Sequence, residues 1–271
     1  MERPAGVVCR CELAPTAAEY RKGRVMKMTD LFLVKDEDGL RKLRAFVGDI
    51  ASVLNEYLKH LEENYMVAEF PRSVVWTDFE SAVFCVSDNP LPAYTNDYRI
   101  VITPDIEVWK SLYLKQLDNY ADSESVGKVR TYYGGLDRHN ILQLIGHELA
   151  HHSELFIDEA YDGEMWFEEG MAEYISRKYF LTDEEYAAEK EANGILVALF
   201  DEKYGRPPLK DFSQSTYRQD ITHIFYSYWR SFLAVDALVE RSDGNVRRVF
   251  DLFCRMFNED ADFDPEKLFG L

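Results

Sequence analysis

The run His147-Glu148-Leu149-Ala150-His151 constrains this chain more than any other feature. Histidines four apart lie on one helix face, so both imidazoles can address a single ion, and the glutamate between them can reach a water on it. Zinc takes ligands of this kind, and a hydrolytic zinc site needs a base beside its water. Asp137 is placed to cap the helix that carries the run, and Ile141, Leu142, Leu144, Ile145 and Leu149 are its expected buried stripe.

A catalytic zinc takes three protein ligands and leaves one position open. One class of zinc hydrolase continues with glycine and a third histidine. Here Glu154 stands in the glycine place and Ile157 in the histidine place, which excludes that class. Downstream comes Trp166-Phe167-Glu168-Glu169-Gly170-Met171-Ala172-Glu173-Tyr174. Met171, Ala172 and Ile175 make a helical stripe, with Glu169 and Glu173 four apart on another face, and a glutamate from this second helix completes a His-His-Glu set.

Together the two segments resemble the gluzincin metallopeptidases, and the resemblance extends over about residues 98–270. It implies that Zn2+ is held by His147, His151 and Glu169, that Glu148 is the general base, and that Glu173 supports a ligand histidine from behind. The spacing departs slightly from the family: residues 152 to 168, 17 in number, separate His151 from Glu169, somewhat fewer than usual. Tyr228, followed by Ser231 and Phe232, resembles the tyrosine-bearing helix of aminopeptidase-N-like members, which makes Tyr228 the expected oxyanion donor; Tyr226 and His223 are the alternatives. In the gluzincins an edge strand pairs with the substrate backbone. Residues 98–103 are the expected counterpart, with Ile100 and Ile102 at the substrate. Glu168 could bind a substrate amine, although the Gly-x-Met-x-Asn segment of the aminopeptidases is missing.

The fold expected is α+β: a zincin-like lobe with a small mixed sheet and the active-site helix, then a mostly helical C-terminal lobe. The expected boundaries are a poorly ordered lead-in over 1–29, the zinc-bearing lobe over 30–180 and the helical lobe over 181–271. Leu40, Leu43, Val47, Ile50, Leu54, Tyr57, Leu58 and Leu61 form a helical stripe behind a cap at Asp36 or Asp38. Residues 73–86 read as one or two strands, 87–90 as a turn, 98–103 as a strand and 106–117 as a helix. Ser123 to Gly135 reads as a polar loop. Thr182-Asp183-Glu184-Glu185 is a capping box opening a helix toward Tyr204. Helices follow over about 220–241 and 245–257, and 263–270 resembles the short closing segment of related peptidases.

With 271 residues, 46% of them hydrophobic, the chain can bury a good-sized core. A net charge of −18 argues against nucleic-acid and anionic-membrane partners. No apolar run reaches membrane-spanning length, and the N-terminus lacks a signal-type apolar core. Cys9, Cys11, Cys85 and Cys254 read as free thiols of a reducing cytoplasm. The expected function is a cytoplasmic zinc metallopeptidase acting on a peptide or protein. The alternatives are a catalytically inactive zinc-binding regulatory protein of the same fold, or a zinc hydrolase of a non-peptide amide or ester.

Overall fold

The computed structural model describes residues 28–86, 93–96, 98–118 and 120–259. Most of the expected lead-in, the Cys9 and Cys11 pair, the expected turn at 87–90 and the segment at 263–270 lie outside the described residues.

The chain is mixed α+β, with a small four-stranded mixed sheet and nine α-helices among the described residues. Strand β1 (Thr29–Leu33) leads into α1 (Glu37–Asn64), β2 (Ser73–Thr77), α2 (Phe79–Cys85), β3 (Ala93–Asn96) and β4 (Arg99–Ile102). Then come α3 (Ile106–Lys115), α4 (Glu124–Gly134), α5 (Arg138–Ala150), α6 (Tyr161–Phe180), α7 (Asp183–Tyr204), α8 (Ile221–Arg241) and α9 (Val246–Glu259). Asp36 caps α1 by accepting from Gly39 N at 2.8 Å, and the capping box at Thr182 opens α7 as expected. Thr29 begins β1, and Met28 packs against the core.

The strand order is β1-β2-β4-β3, with β3 antiparallel and the other pairs parallel. This corrects the expectation for residues 98–103. Strand β4 is interior, with its backbone paired to β2 on one side and β3 on the other, so it has no free edge for a substrate. Ile100 and Ile102 lie in register with Val74 and Trp76, and all four side chains are buried in the core rather than facing a cleft. The edge strands are β1 and, next to β4, the four-residue β3, which the sequence reading overlooked.

Two further readings are corrected. Residues 79–85 are a helix capped by Asp78, which accepts from Ser81 N at 2.7 Å. Residues 124–134 are a helix capped by Ser123, not a loop. Val126, Val129 and Tyr133 recur at helical spacing and are buried, a stripe hidden in the sequence by its polar and glycine neighbours.

The main core runs from the sheet through α1, α5 and α6 into the second half of α8 and α9. A second core joins α4 and α7 to the first half of α8. Helix α6 lies against α8, so the main core passes through the expected lobe boundary at 180/181. Cys85 is a free, exposed thiol, but Cys254 is disulfide-bonded, which corrects the reading of four free thiols. Sequence spacing does not report which distant thiols meet in space. No helix among the described residues is long and apolar enough to cross a membrane.

Candidate metal centre

Helix α5 is anchored at its start and buried at its end. Asp137 accepts from His139 N at 2.8 Å, and Asn140 Oδ1 accepts from Asp137 N at 2.9 Å, a reciprocal cap. In its last turns Ile145, Gly146, His147, Glu148, Leu149 and Ala150 are all buried, and His151 ends the helix. Helix α6 crosses beside it and delivers Glu168, Glu169 and Glu173. Two glycines permit the close approach. A Cβ at Gly146 would lie 2.5 Å from the Phe180 ring of α6, and one at Gly170 would lie 2.3 Å from Ser231 O of α8. Each glycine adjoins a candidate ligand, His147 or Glu169.

Three ligand atoms converge. His147 Nε2 lies 3.1 Å from His151 Nε2. Glu169 Oε2 lies 3.2 Å from His147 Nε2 and 3.4 Å from His151 Nε2. Bond lengths of about 2.0–2.1 Å in a tetrahedral zinc site put ligand atoms about 3.3 Å apart. The observed triangle has those sides. Glu169 Oε2 is buried and makes no hydrogen bond, although both imidazoles stand at ion-pair distance. A carboxylate oxygen in a protein interior normally finds a donor. This one has none and faces two imidazole nitrogens at the separation expected of ligands sharing a cation. The donor set therefore fits a metal ion.

The groups behind the ligands complete the picture. His151 Nδ1 hydrogen-bonds Glu168 Oε1 at 2.8 Å. Glu168 borders the cleft, with this oxygen engaged by His151. His147 Nδ1 lies 3.4 Å from Glu173 Oε1. Glu173 is itself held by Gln143 Nε2 at 3.1 Å and by an ion pair with Arg177, and Arg177 reaches on to Glu189 at 3.0 Å. Carboxylates behind ligand histidines fix the ring orientation and raise its basicity.

The protonation pattern follows from burial and charge. Burial depresses the His147 imidazole to about 4 against the opposing pull of Glu169. Burial works on His151 too, but the Glu169 and Glu168 carboxylates overcome it and raise this imidazole well above its usual range. Burial would raise Glu169, yet the charge on His151 and the contacts from both imidazoles hold it well below the ordinary carboxylate range. Metal-free, the centre thus keeps a proton on His151 between two carboxylates. Burial pushes Glu148 up to about 8, outweighing His151. A carboxyl group in that range can both accept and return a proton near neutrality.

The centre opens on a cleft of about 590 Å³. Glu148 lines it, as does the whole of the edge strand β3. So does His152, whose Nε2 hydrogen-bonds Thr95 Oγ1 at 3.3 Å. Tyr228 stands on the far wall, its ring centroid 5.9 Å from that of His147. The two alternatives for its role lie away from the cleft. Tyr226, two residues along the helix, points to Asp201, and His223 is exposed on Asp220 at 2.9 Å. Tyr217 went unnoticed in the sequence. It sits in a short turn (Gln214–Arg218), and its hydroxyl donates to Glu169 Oε1 at 3.1 Å and meets the Tyr228 hydroxyl at 2.6 Å. A lone tyrosine in an irregular segment carries no periodic signal that would have marked it.

A second grouping, Asp137, His139 and Glu185, lies at the start of α5. Its oxygens already serve the caps of α5 and α7, and His139 Nδ1 bonds Glu185 at 3.0 Å, so these residues join two helix ends.

No protein-family model, no curated protein and no solved structure matches this chain.

Proposed function

We propose that the protein is a zinc-dependent metallopeptidase of gluzincin type, with a zincin-like arrangement of sheet and active-site helix. The observation that carries this reading is the triangle of His147 Nε2, His151 Nε2 and Glu169 Oε2, with sides of 3.1, 3.2 and 3.4 Å and a buried carboxylate oxygen that makes no hydrogen bond at one corner. Zinc bound there would supply Lewis-acid polarisation of a water and of a substrate carbonyl.

The chain's own residues would do the rest. Glu148, buried beside the ligands and open to the cleft, accepts a proton from water and returns it to the leaving amine. Tyr228 offers a hydroxyl to the negative charge that develops on the carbonyl oxygen. Glu168 holds the His151 imidazole by a hydrogen bond, and Glu173 stands 3.4 Å behind that of His147. Edge strand β3 lines the cleft with one side of its backbone unpaired among the described residues, which suits an extended peptide. Glu148 also weighs against an inactive metal-holding protein, because a structural site has no use for a buried, unpaired-with-metal carboxyl facing the cleft.

The test is Glu148→Gln. The variant should retain wild-type zinc, close to one ion per chain by elemental mass spectrometry, and lose about 10²–10⁴-fold in cleavage of a peptide library. Undiminished cleavage would remove Glu148 from the mechanism. Wild-type protein that takes up no zinc would remove the metallopeptidase reading altogether.

A further inference from the structure

The contact between Tyr217, Tyr228 and Glu169 has a direction. Each phenol carries one proton. The Tyr217 hydroxyl lies 3.1 Å from Glu169 Oε1 and 2.6 Å from the Tyr228 hydroxyl. An ionised carboxylate only accepts, so the Tyr217 proton goes to Glu169. The 2.6 Å contact is then filled by the Tyr228 proton. Donation therefore runs from Tyr228 to Tyr217 to Glu169.

Two consequences follow for the proposed centre. Glu169 Oε1 is capped by a hydrogen bond, while Oε2 alone faces both imidazoles. Glu169 is thereby limited to one ligand oxygen, which keeps the protein's contribution at three ligand atoms and a position open. The Tyr228 proton, meanwhile, is held by Tyr217 and becomes available to a substrate oxygen only when a stronger acceptor competes for it. A charged oxygen is such an acceptor, and a neutral carbonyl is a weaker one. The hydroxyl would thus favour the transition state over bound substrate.

We infer that Tyr217 is a positioning residue: it restricts Glu169 to one-oxygen ligation and holds the Tyr228 proton in reserve. This rests on the metal-centre reading above, and it concerns a residue in a turn with no counterpart in the sequence resemblance.

The test uses Co2+ on the full chain, because cobalt absorbs visible light more strongly in four-coordinate than in higher-coordinate sites. Tyr217→Phe should weaken Co2+ affinity by about tenfold or more and lower the absorption per bound ion, as Glu169 becomes free to chelate through both oxygens. Tyr228→Phe leaves the Tyr217–Glu169 bond in place, so its Co2+ spectrum and affinity should match the wild type. Tyr217→Gln, which keeps a donor, should recover part of the lost affinity. Thermal melts confirm folding, and Tyr217→Leu takes the place of the phenylalanine variant if that one does not fold. A donor-free variant with wild-type spectrum and affinity overturns the role of Tyr217 while leaving the metal centre standing. A wild-type protein that binds no Co2+ overturns the centre itself, and this inference with it.

Discussion

At the scale of single residues, the proton on His151 is the metal's competitor. Against the opposing effect of burial, Glu169 and Glu168 raise this imidazole well above its ordinary value of 6.5, which favours the protonated ring in the metal-free protein. A ligand nitrogen must be deprotonated to bind. Metal uptake at pH 7 should therefore release about one proton per ion, and apparent zinc affinity should rise about tenfold per pH unit while His151 still holds its proton. Titration calorimetry in buffers of different ionisation enthalpy reads the proton count, and a count of zero would contradict the assignment of His151. The linkage to stability has the matching sign. The raised pKa stabilises the metal-free fold below 6.5, and that contribution is lost as pH rises through the higher folded value. His147 has the opposite sign: its pKa of about 4 makes the fold lose stability as pH falls from 6.5 toward 4. His147, Glu148 and His151 were legible from their spacing alone, because four residues on a helix is a local geometric fact. Tyr217 was not, because its position beside Glu169 depends on how an irregular segment folds back across α6 and α8.

At the scale of elements, the ligands depend on two close helix crossings. Gly146 and Gly170 lie inside helices, where glycine costs about 0.5–1 kcal/mol relative to alanine. The structure supplies the reason in each case. A methyl group at Gly170 would meet the backbone carbonyl of Ser231, which cannot move aside, whereas one at Gly146 would meet the edge of the Phe180 ring, which can rotate. Gly170→Ala should therefore destabilise by about 1–3 kcal/mol or more, and Gly146→Ala by less. Urea unfolding midpoints check the order, and equal midpoints would show that the α6–α8 crossing can relax. The helix signals at Asp36, Asp137 and Thr182 marked real helix starts because caps are local chemistry. The edge strand was misassigned because Arg99–Ile102 has the β-branched composition of a strand, but composition does not say which strand lies outermost. The edge strand beside it, Ala93–Asn96, is short and polar, as edge strands tend to be.

At the scale of the whole molecule, the proposed ion would tie α5 to α6 where the main core passes into α8. Zinc at about 1,000 times its Kd would stabilise the folded state by about 4 kcal/mol. For a chain of this size that corresponds to a melting temperature roughly 8–16 °C higher than in the presence of a chelator. Calorimetry with and without chelator measures the shift, and His147→Ala should abolish it. Behind the site a buried polar chain runs from Glu173 through Arg177 to Glu189, which Tyr132 and Asn193 also engage, and so joins the centre to the second core. None of that chain could be assembled from sequence, since its members lie on three helices. What the sequence determined by itself is whatever rests on local spacing: the helix bearing His147 and His151, the caps, the buried stripes and the glutamates of α6. Only the tertiary structure decided which glutamate oxygen meets both imidazoles, which strand is the edge and which hydroxyls reach the ligands. Those contacts join residues far apart in the chain, and their geometry is set by how closely whole elements pack.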